Sequence, residues 1–216
     1  MSRNPRGVSL APPEPLLDLA DFPAVTLRSN QRFFRCSRSS NGPWWFSSTG
    51  MGRFDLNAPR GTCYLATDPV LAVVEALGPT AGNRLVTPEW LEQRTVRLLR
   101  LPRPVRVANA TDRAANGFGV TLEISTIVSY AIPRAWAAAL DDVGFGGIAY
   151  LLRHSSSPER GIALFGTAGE RTSWRRGIAR SLDRSIVRSL ERHFAIAVSE
   201  IPSSRSLTFA DPPVRR

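Results

Sequence analysis

Strand signals and helix signals are interspersed along this chain without regular alternation, an order that favours an α+β fold over a doubly wound α/β one. Residues 31–38, with Phe33 and Phe34 ahead of Arg35, have the make-up of a strand, and Ser39-Ser40-Asn41-Gly42-Pro43 ends it with loop chemistry. Residues 61–66 read as a short buried strand. Asp68-Pro69 then supplies an N-cap and a proline at the first helical position, which predicts a helix over 70–77. Thr87-Pro88-Glu89 repeats that start signal. Residues 95–101 and 105–108 read as strands around Pro102 and Pro104, and 133–143 as a helix closed by Gly144. Residues 147–152 and 161–165 look like two core strands joined by the polar loop 154–160.

Near the C-terminus, Trp174, Ile178, Leu182, Ile186 and Leu190 recur every four residues, and Arg176, Arg180, Arg184, Arg188 and Arg192 follow two positions later. At about 100° per residue the two sets lie on opposite faces of a helix predicted from Trp174 onward. Such a helix packs its apolar face on the core and leaves solvated arginines outside. A partner-binding or nucleic-acid-binding helix is the other reading.

The 216 residues favour a single domain, and 43% hydrophobic against 21% charged residues is the balance of a folded protein. Residues 1–23 carry Pro12, Pro13, Glu14 and Asp18 where an export signal needs an unbroken apolar run, so they are expected to wrap the surface or fray. No stretch reaches the roughly 18 apolar residues that span a bilayer. A cytoplasmic protein without a membrane partner is expected.

Cys36 and Cys63 are too few for a disulfide scaffold or a four-ligand zinc site, and are expected to be reduced and buried. His154 and His193, far apart in sequence, make no case for a metal or a proton relay and are read as structural. No Walker loop, GxGxxG, HExxH or GxSxG pattern is present.

The net charge of +10 points to an anionic partner: nucleic acid, an acidic protein, a membrane surface or a phosphorylated small molecule. All of its fixed positive charge is arginine, for the chain has no lysine, as coding bias in a GC-rich genome would produce. The planar guanidinium grips phosphates in bidentate fashion, so a diphosphate-bearing ligand would suit it.

The most informative stretch is Gly52-Arg53-Phe54-Asp55, then Gly61-Thr62-Cys63-Tyr64-Leu65-Ala66, then Asp68-Pro69-Val70-Leu71-Ala72-Val73-Val74-Glu75. With Arg35 before it, this resembles the RES family, named for its Arg, Glu and Ser. That family typically shows an early strand arginine, a Gly-Arg-aromatic step, a Gly-x-x-Tyr-Leu-Ala strand and a helix carrying glutamate. The stretch Ala135-Trp136-Ala137-Ala138-Ala139-Leu140, then Gly144-Phe145-Gly146-Gly147-Ile148-Ala149-Tyr150, resembles its second half. The likeness covers roughly residues 31–166, which sets 1–30 apart as an N-terminal extension and 167–216 as a C-terminal basic helix and final strand.

The resemblance implies a single α+β domain of mixed small sheets flanked by helices, similar to ADP-ribosyltransferases. It also implies cleavage of the nicotinamide-ribosyl bond of NAD with phosphate or water as acceptor, and a place as the toxin of a bacterial toxin–antitoxin pair. NAD is then substrate, and no cofactor or metal is expected.

The chemistry has its own logic. Nicotinamide leaves as a neutral group from a ribosyl carbon that acquires oxocarbenium character, so negative charge near the ribose is needed, as at glycosidic centres. Glu75, the sole carboxylate on an apolar helix, is the candidate to supply it. Arg53 and Arg35 are candidates for the pyrophosphate or the acceptor phosphate, and Tyr64 for stacking on the nicotinamide or ribose while its hydroxyl bonds the ligand.

The chain departs from the family in two places. The family serine, two residues beyond the tyrosine of the Gly-Ile-x-Tyr strand, is Leu152 here, with Ser155, Ser156 and Ser157 just beyond and Ser155 the nearest replacement. Asp55 stands where many members have asparagine, adding an acid near the expected anion site. Two further readings stay open: a basic module that binds nucleic acid or an acidic protein without catalysis, and transfer of ADP-ribose to a macromolecule.

Overall fold

The structure is a computed structural model that describes residues 9–78, 84–156, 159–180 and 182–199. Its strands are β1 (Ala24–Leu27), β2 (Arg32–Arg38), β3 (Trp45–Phe46), β4 (Arg60–Ala66), β5 (Leu85–Val86), β6 (Arg94–Arg100), β7 (Val105–Asn109), β8 (Gly147–Leu151), β9 (Arg160–Thr167), β10 (Gly169–Glu170), β11 (Ile178–Arg180) and β12 (Ala197–Val198). Five helices accompany them: α1 (Pro69–Leu77), α2 (Pro88–Glu92), α3 (Glu123–Thr126), α4 (Ala131–Asp142) and α5 (Arg184–Phe194), with a 3-10 turn at Arg113–Phe118. The architecture is α+β, as expected.

The strands form an eight-stranded sheet, β1-β7-β8-β9-β4-β2-β6-β11, and the pairs β10-β3 and β12-β5. Most residues of β9 and β4 are buried, which is why these strands read as continuous apolar runs rather than alternating ones. They pair along seven residues, from Arg60↔Thr167 to Ala66↔Gly161. β2 and β6 pair along seven as well. Between β2 and β4 the register holds at one position, Phe34↔Ala66. The large sheet is therefore two smaller ones hinged at that pair, and they diverge beyond it.

α1 starts where the sequence marks it. Asp68 Oδ1 accepts from the backbone N–H of Val70 at 2.8 Å and Leu71 at 3.0 Å, and Pro69 spends no donor in the first turn. Gly78 ends it at φ 55°, a conformation that costs a side-chain-bearing residue energy. Leu71 and Ala72 pack into the core beneath α4, while Val73, Val74 and Leu77 pack with Ile186 and Leu190 of α5.

Residues 9–27 are less peripheral than their composition implies. Leu10, Leu19 and Phe22 are buried, Trp136 Nε1 donates to the carbonyl of Ala11 at 2.9 Å, and β1 pairs antiparallel with β7. Scattered apolar residues among prolines suffice to cover α4 once it presents an apolar groove.

The helix expected from Trp174 forms only from Arg184. Gly177 takes φ 70° and sits against the carbonyl of Leu98, after which β11 pairs with the open edge of β6. Asp183 then caps α5 through Ser185 and Ile186. The edge of β6 offered backbone partners that outweighed the four-residue periodicity. Trp174 packs edge-on against Trp44, at 4.9 Å between centroids. Among the described residues no helix is long and apolar enough to cross a membrane.

Candidate active site

Where β2 and β4 part, a cleft of about 280 Å³ opens, floored by α1 and closed by the segment carrying Arg53, by Tyr130, and by the end of β8. Helical spacing puts Ala72, Glu75 and Ala76 on its α1 wall, with small residues flanking the single carboxylate.

Glu75 is largely removed from water. Burial pushes its carboxyl up to about 7, opposed by the charge of Arg53 and by hydrogen bonds from the Arg153 backbone and the Tyr150 hydroxyl. Its Oε1 is buried without a hydrogen-bond partner. A helical glutamate in that state is poised to accept from, or lie against, something that enters the cleft.

Arg53 is 8% exposed, and burial pulls its guanidinium below the usual arginine range. Its Nη1 donates to the carbonyl of Ile127 at 2.7 Å, and its Cζ lies 4.6 Å from the Tyr130 ring centroid. Desolvated in this way, it needs the Glu75 charge or a ligand's, and the two side chains act on each other electrostatically.

The loop that carries Arg53 is held by Asp55. This buried carboxylate accepts from Gly52 N at 3.0 Å, Ser47 Oγ at 3.1 Å, Thr49 Oγ1 at 3.3 Å and Tyr64 Oη at 2.9 Å. Gly52 is required there, because a Cβ would overlap both the Asp55 carboxylate and the Tyr64 hydroxyl. Asp55 therefore turns inward, its charge met by four donors, and sits beside the cleft without being one of the residues that line it.

Tyr64 lines the cleft, but its hydroxyl is committed: it donates to Asp55 and accepts from Phe54 N at 2.8 Å. Burial and the Asp55 charge push its ionisation well above the usual range, so the phenol stays a donor. The structure gives this hydroxyl a structural task, holding Asp55 and the Phe54 backbone, while Tyr64 still lines the cleft.

Arg35 borders the cleft at the β2–β4 split, but its side chain lies on the other face of β2, where Nη1 is tied to the carbonyls of Pro43 at 2.9 Å and Trp45 at 2.8 Å, and to Cys63 Sγ at 2.9 Å. It braces the 43–45 loop and lies apart from the Glu75–Arg53 pair. Both cysteines are free: Cys63 is buried, and burial pushes the half-buried Cys36 thiol up to about 12, which makes it inert.

Ser155 does not line the cleft. Its N–H closes a turn onto the carbonyl of Leu152 at 3.3 Å, and that turn aims Arg153 and His154 at the cleft instead. Ser156 is exposed, and Ser157 lies outside the described residues. Leu152 is a core residue, 3% exposed.

Sequence reasoning passed over Tyr130, Tyr150, Arg153 and His154. Tyr150 had a signal in the Gly-Ile-x-Tyr strand; its ring packs on Phe54 at 4.8 Å and over Gly161, where any Cβ would overlap it. His154, read as structural, is a cleft residue whose basicity is lowered by burial and by Arg153 and Arg53. Among the described residues no three His, Cys, Asp or Glu side chains are grouped as a metal site.

The cleft thus combines one carboxylate with an unpartnered oxygen, several cations and aromatic faces. The sequence profile of the RES domain matches residues 32–183. No curated protein sequence matches the chain. Among solved structures, the fold is similar to a chain in the crystal structure of the M. tuberculosis MbcT–MbcA toxin–antitoxin complex, with a TM-score of 0.55 and 14% identity over 72% of this chain and 87% of that one.

Proposed function

The chain belongs to the RES-domain family, and on that premise we propose that it cleaves the nicotinamide-ribosyl bond of NAD, with phosphate or water as acceptor. The observation that carries this reading is Glu75: a cleft carboxylate with a buried, unpartnered oxygen beside the desolvated Arg53.

Nicotinamide departs neutral, and positive charge grows on the ribosyl C1 as the bond breaks. An ionised Glu75 beside that ribose stabilises the charge where it develops, at a position largely removed from water. Arg53 and Arg153 supply cations for the diphosphate, and Arg53 keeps part of Glu75 ionised near neutral pH by opposing the effect of burial. The ring of Tyr130, already stacked on Arg53, offers a face for the nicotinamide. The acceptor then adds to C1, and water in that role leaves ADP-ribose and a proton, phosphate ADP-ribose phosphate.

We further propose that the protein is the toxin of a toxin–antitoxin pair, a role supported by its family and by its likeness in fold to a chain of a toxin–antitoxin complex. The decisive experiment incubates the purified chain with NAD, with and without phosphate, and identifies the products. With phosphate present free nicotinamide is expected in either case, accompanied by ADP-ribose phosphate if phosphate is the acceptor; without phosphate, nicotinamide and ADP-ribose are expected only if water is. A folded protein that releases no nicotinamide sinks the proposal, and label from NAD appearing in macromolecules would replace it with ADP-ribosyl transfer.

A further inference from the structure

The face of β2 turned away from α1 holds a second cluster of cations. Strand alternation sends Phe34 and Cys36 toward α1 and Phe33, Arg35 and Ser37 to the other side. There Arg35 stands directly opposite Arg97 of β6, and Ser37 opposite Thr95. Like charges at facing positions of an antiparallel pair repel. Arg176 adds a third charge, felt by Arg97 together with that of Arg35, and Glu170 is the acid that opposes them. The Glu170 carboxyl rests against the backbone of Gly42 and makes no ion pair with these arginines; among the described residues the ion pair present is Arg60–Asp141.

Two polar atoms in this cluster, Arg97 Nη1 and Ser37 Oγ, are buried without a hydrogen-bond partner. They belong to diagonal positions on one face of the β2–β6 ladder, about 7–8 Å apart at the backbone and bridgeable by an arginine's length and one small acceptor group. Buried donors are almost always satisfied, so two orphans within an excess of positive charge mark the place of an acceptor-rich anion. A tetrahedral phosphate has the oxygens for both, and the exposed Arg176 adds its charge to theirs. Arg35, its Nη1 spent on Pro43, Trp45 and Cys63, contributes fixed charge.

We propose that Arg97, Arg176 and Ser37 form a second anion site, on the opposite face of β2 from Glu75, that binds a phosphate group. The proposal does not rest on the NAD reading, since the site is assayed without NAD. Calorimetric titration of the full chain with inorganic phosphate is expected to show binding that weakens by about tenfold or more in Arg97→Gln and in Arg176→Gln, the loss of one charge-assisted contact, and less in Ser37→Ala. Arg176 is exposed, so that variant tests the site even if Arg97→Gln fails to fold. Arg188→Gln, which removes one exposed charge on α5, is expected to leave the affinity unchanged. ADP binding that weakens in Arg97→Gln as phosphate binding does would assign the site to the phosphate of a nucleotide, and ADP binding unchanged in that variant would assign it to the free anion. No phosphate binding at millimolar concentrations, or equal affinity in wild type, Arg97→Gln and Arg176→Gln, overturns the proposal.

Discussion

The hydroxyl of Tyr64 donates to Asp55 Oδ1 at 2.9 Å while accepting from the backbone of Phe54, so a strand residue on β4 sets the position of the loop that delivers Arg53. Tyr64→Phe removes both contacts and leaves one oxygen of a buried carboxylate short of a donor. A loss of about 1–3 kcal/mol in urea unfolding is expected. If the variant also cleaves NAD, KM should rise more than kcat falls, because the loop is loosened and the carboxylate is untouched. Unchanged stability would mean that Asp55 is held adequately by Ser47, Thr49 and Gly52 alone.

Glu75→Gln keeps the size of the side chain and removes its charge. Turnover of NAD is expected to fall by about 10²–10³, with KM little changed, since the charge acts on a centre that becomes positive only as nicotinamide leaves. Single-turnover nicotinamide release is the measurement, and a wild-type rate would remove Glu75 from the chemistry.

The Glu75 carboxyl, at about 7 against an ordinary 4.5, has consequences for pH in two directions. The ionised form is the active one, so nicotinamide release should rise through pH 7. Stability runs the other way. Between pH 4.5 and 7 the folded chain retains a proton that the unfolded chain has lost, so the wild type should lose stability relative to Glu75→Gln as pH climbs through this window, by up to about 3 kcal/mol in all. Thermal unfolding of the two proteins at pH 5 and pH 8 checks the sign.

Arg53→Ala removes the charge that keeps part of Glu75 ionised and the bond to the Ile127 carbonyl. A drop in kcat/KM of about tenfold or more is expected, and the rising limb of the pH profile should move to higher pH. A profile left in place would show that Arg53 binds ligand without tuning Glu75.

The serine expected to compensate for Leu152 is not at the cleft, and His154 is. Ser155→Ala should therefore leave NAD turnover within about twofold of wild type, as an ordinary substitution away from a site does, while His154→Ala should change KM or kcat measurably. The reverse order would reinstate the serine.

What the chain alone determined was local and ordered. The Asp68-Pro69 start of α1, the apolar runs of β4, β8 and β9, and the motif that singles out Glu75 all rest on neighbours within a few residues, where capping, turn chemistry and burial pattern act directly. Charge and chemistry assigned a role to Glu75 on the same footing. Only the folded chain decided which groups face one another. Tyr64 spends its hydroxyl on Asp55 because a loop returns to the strand, Arg35 is drawn to the 43–45 loop, and a turn after β8 presents Arg153 and His154 in place of Ser155. The four-residue periodicity from Trp174 gave way at β11 because the vacant edge of β6 offered it hydrogen bonds. Long-range backbone pairing and the competition among buried polar groups for partners are properties of the assembled tertiary structure, and no window of sequence contains them.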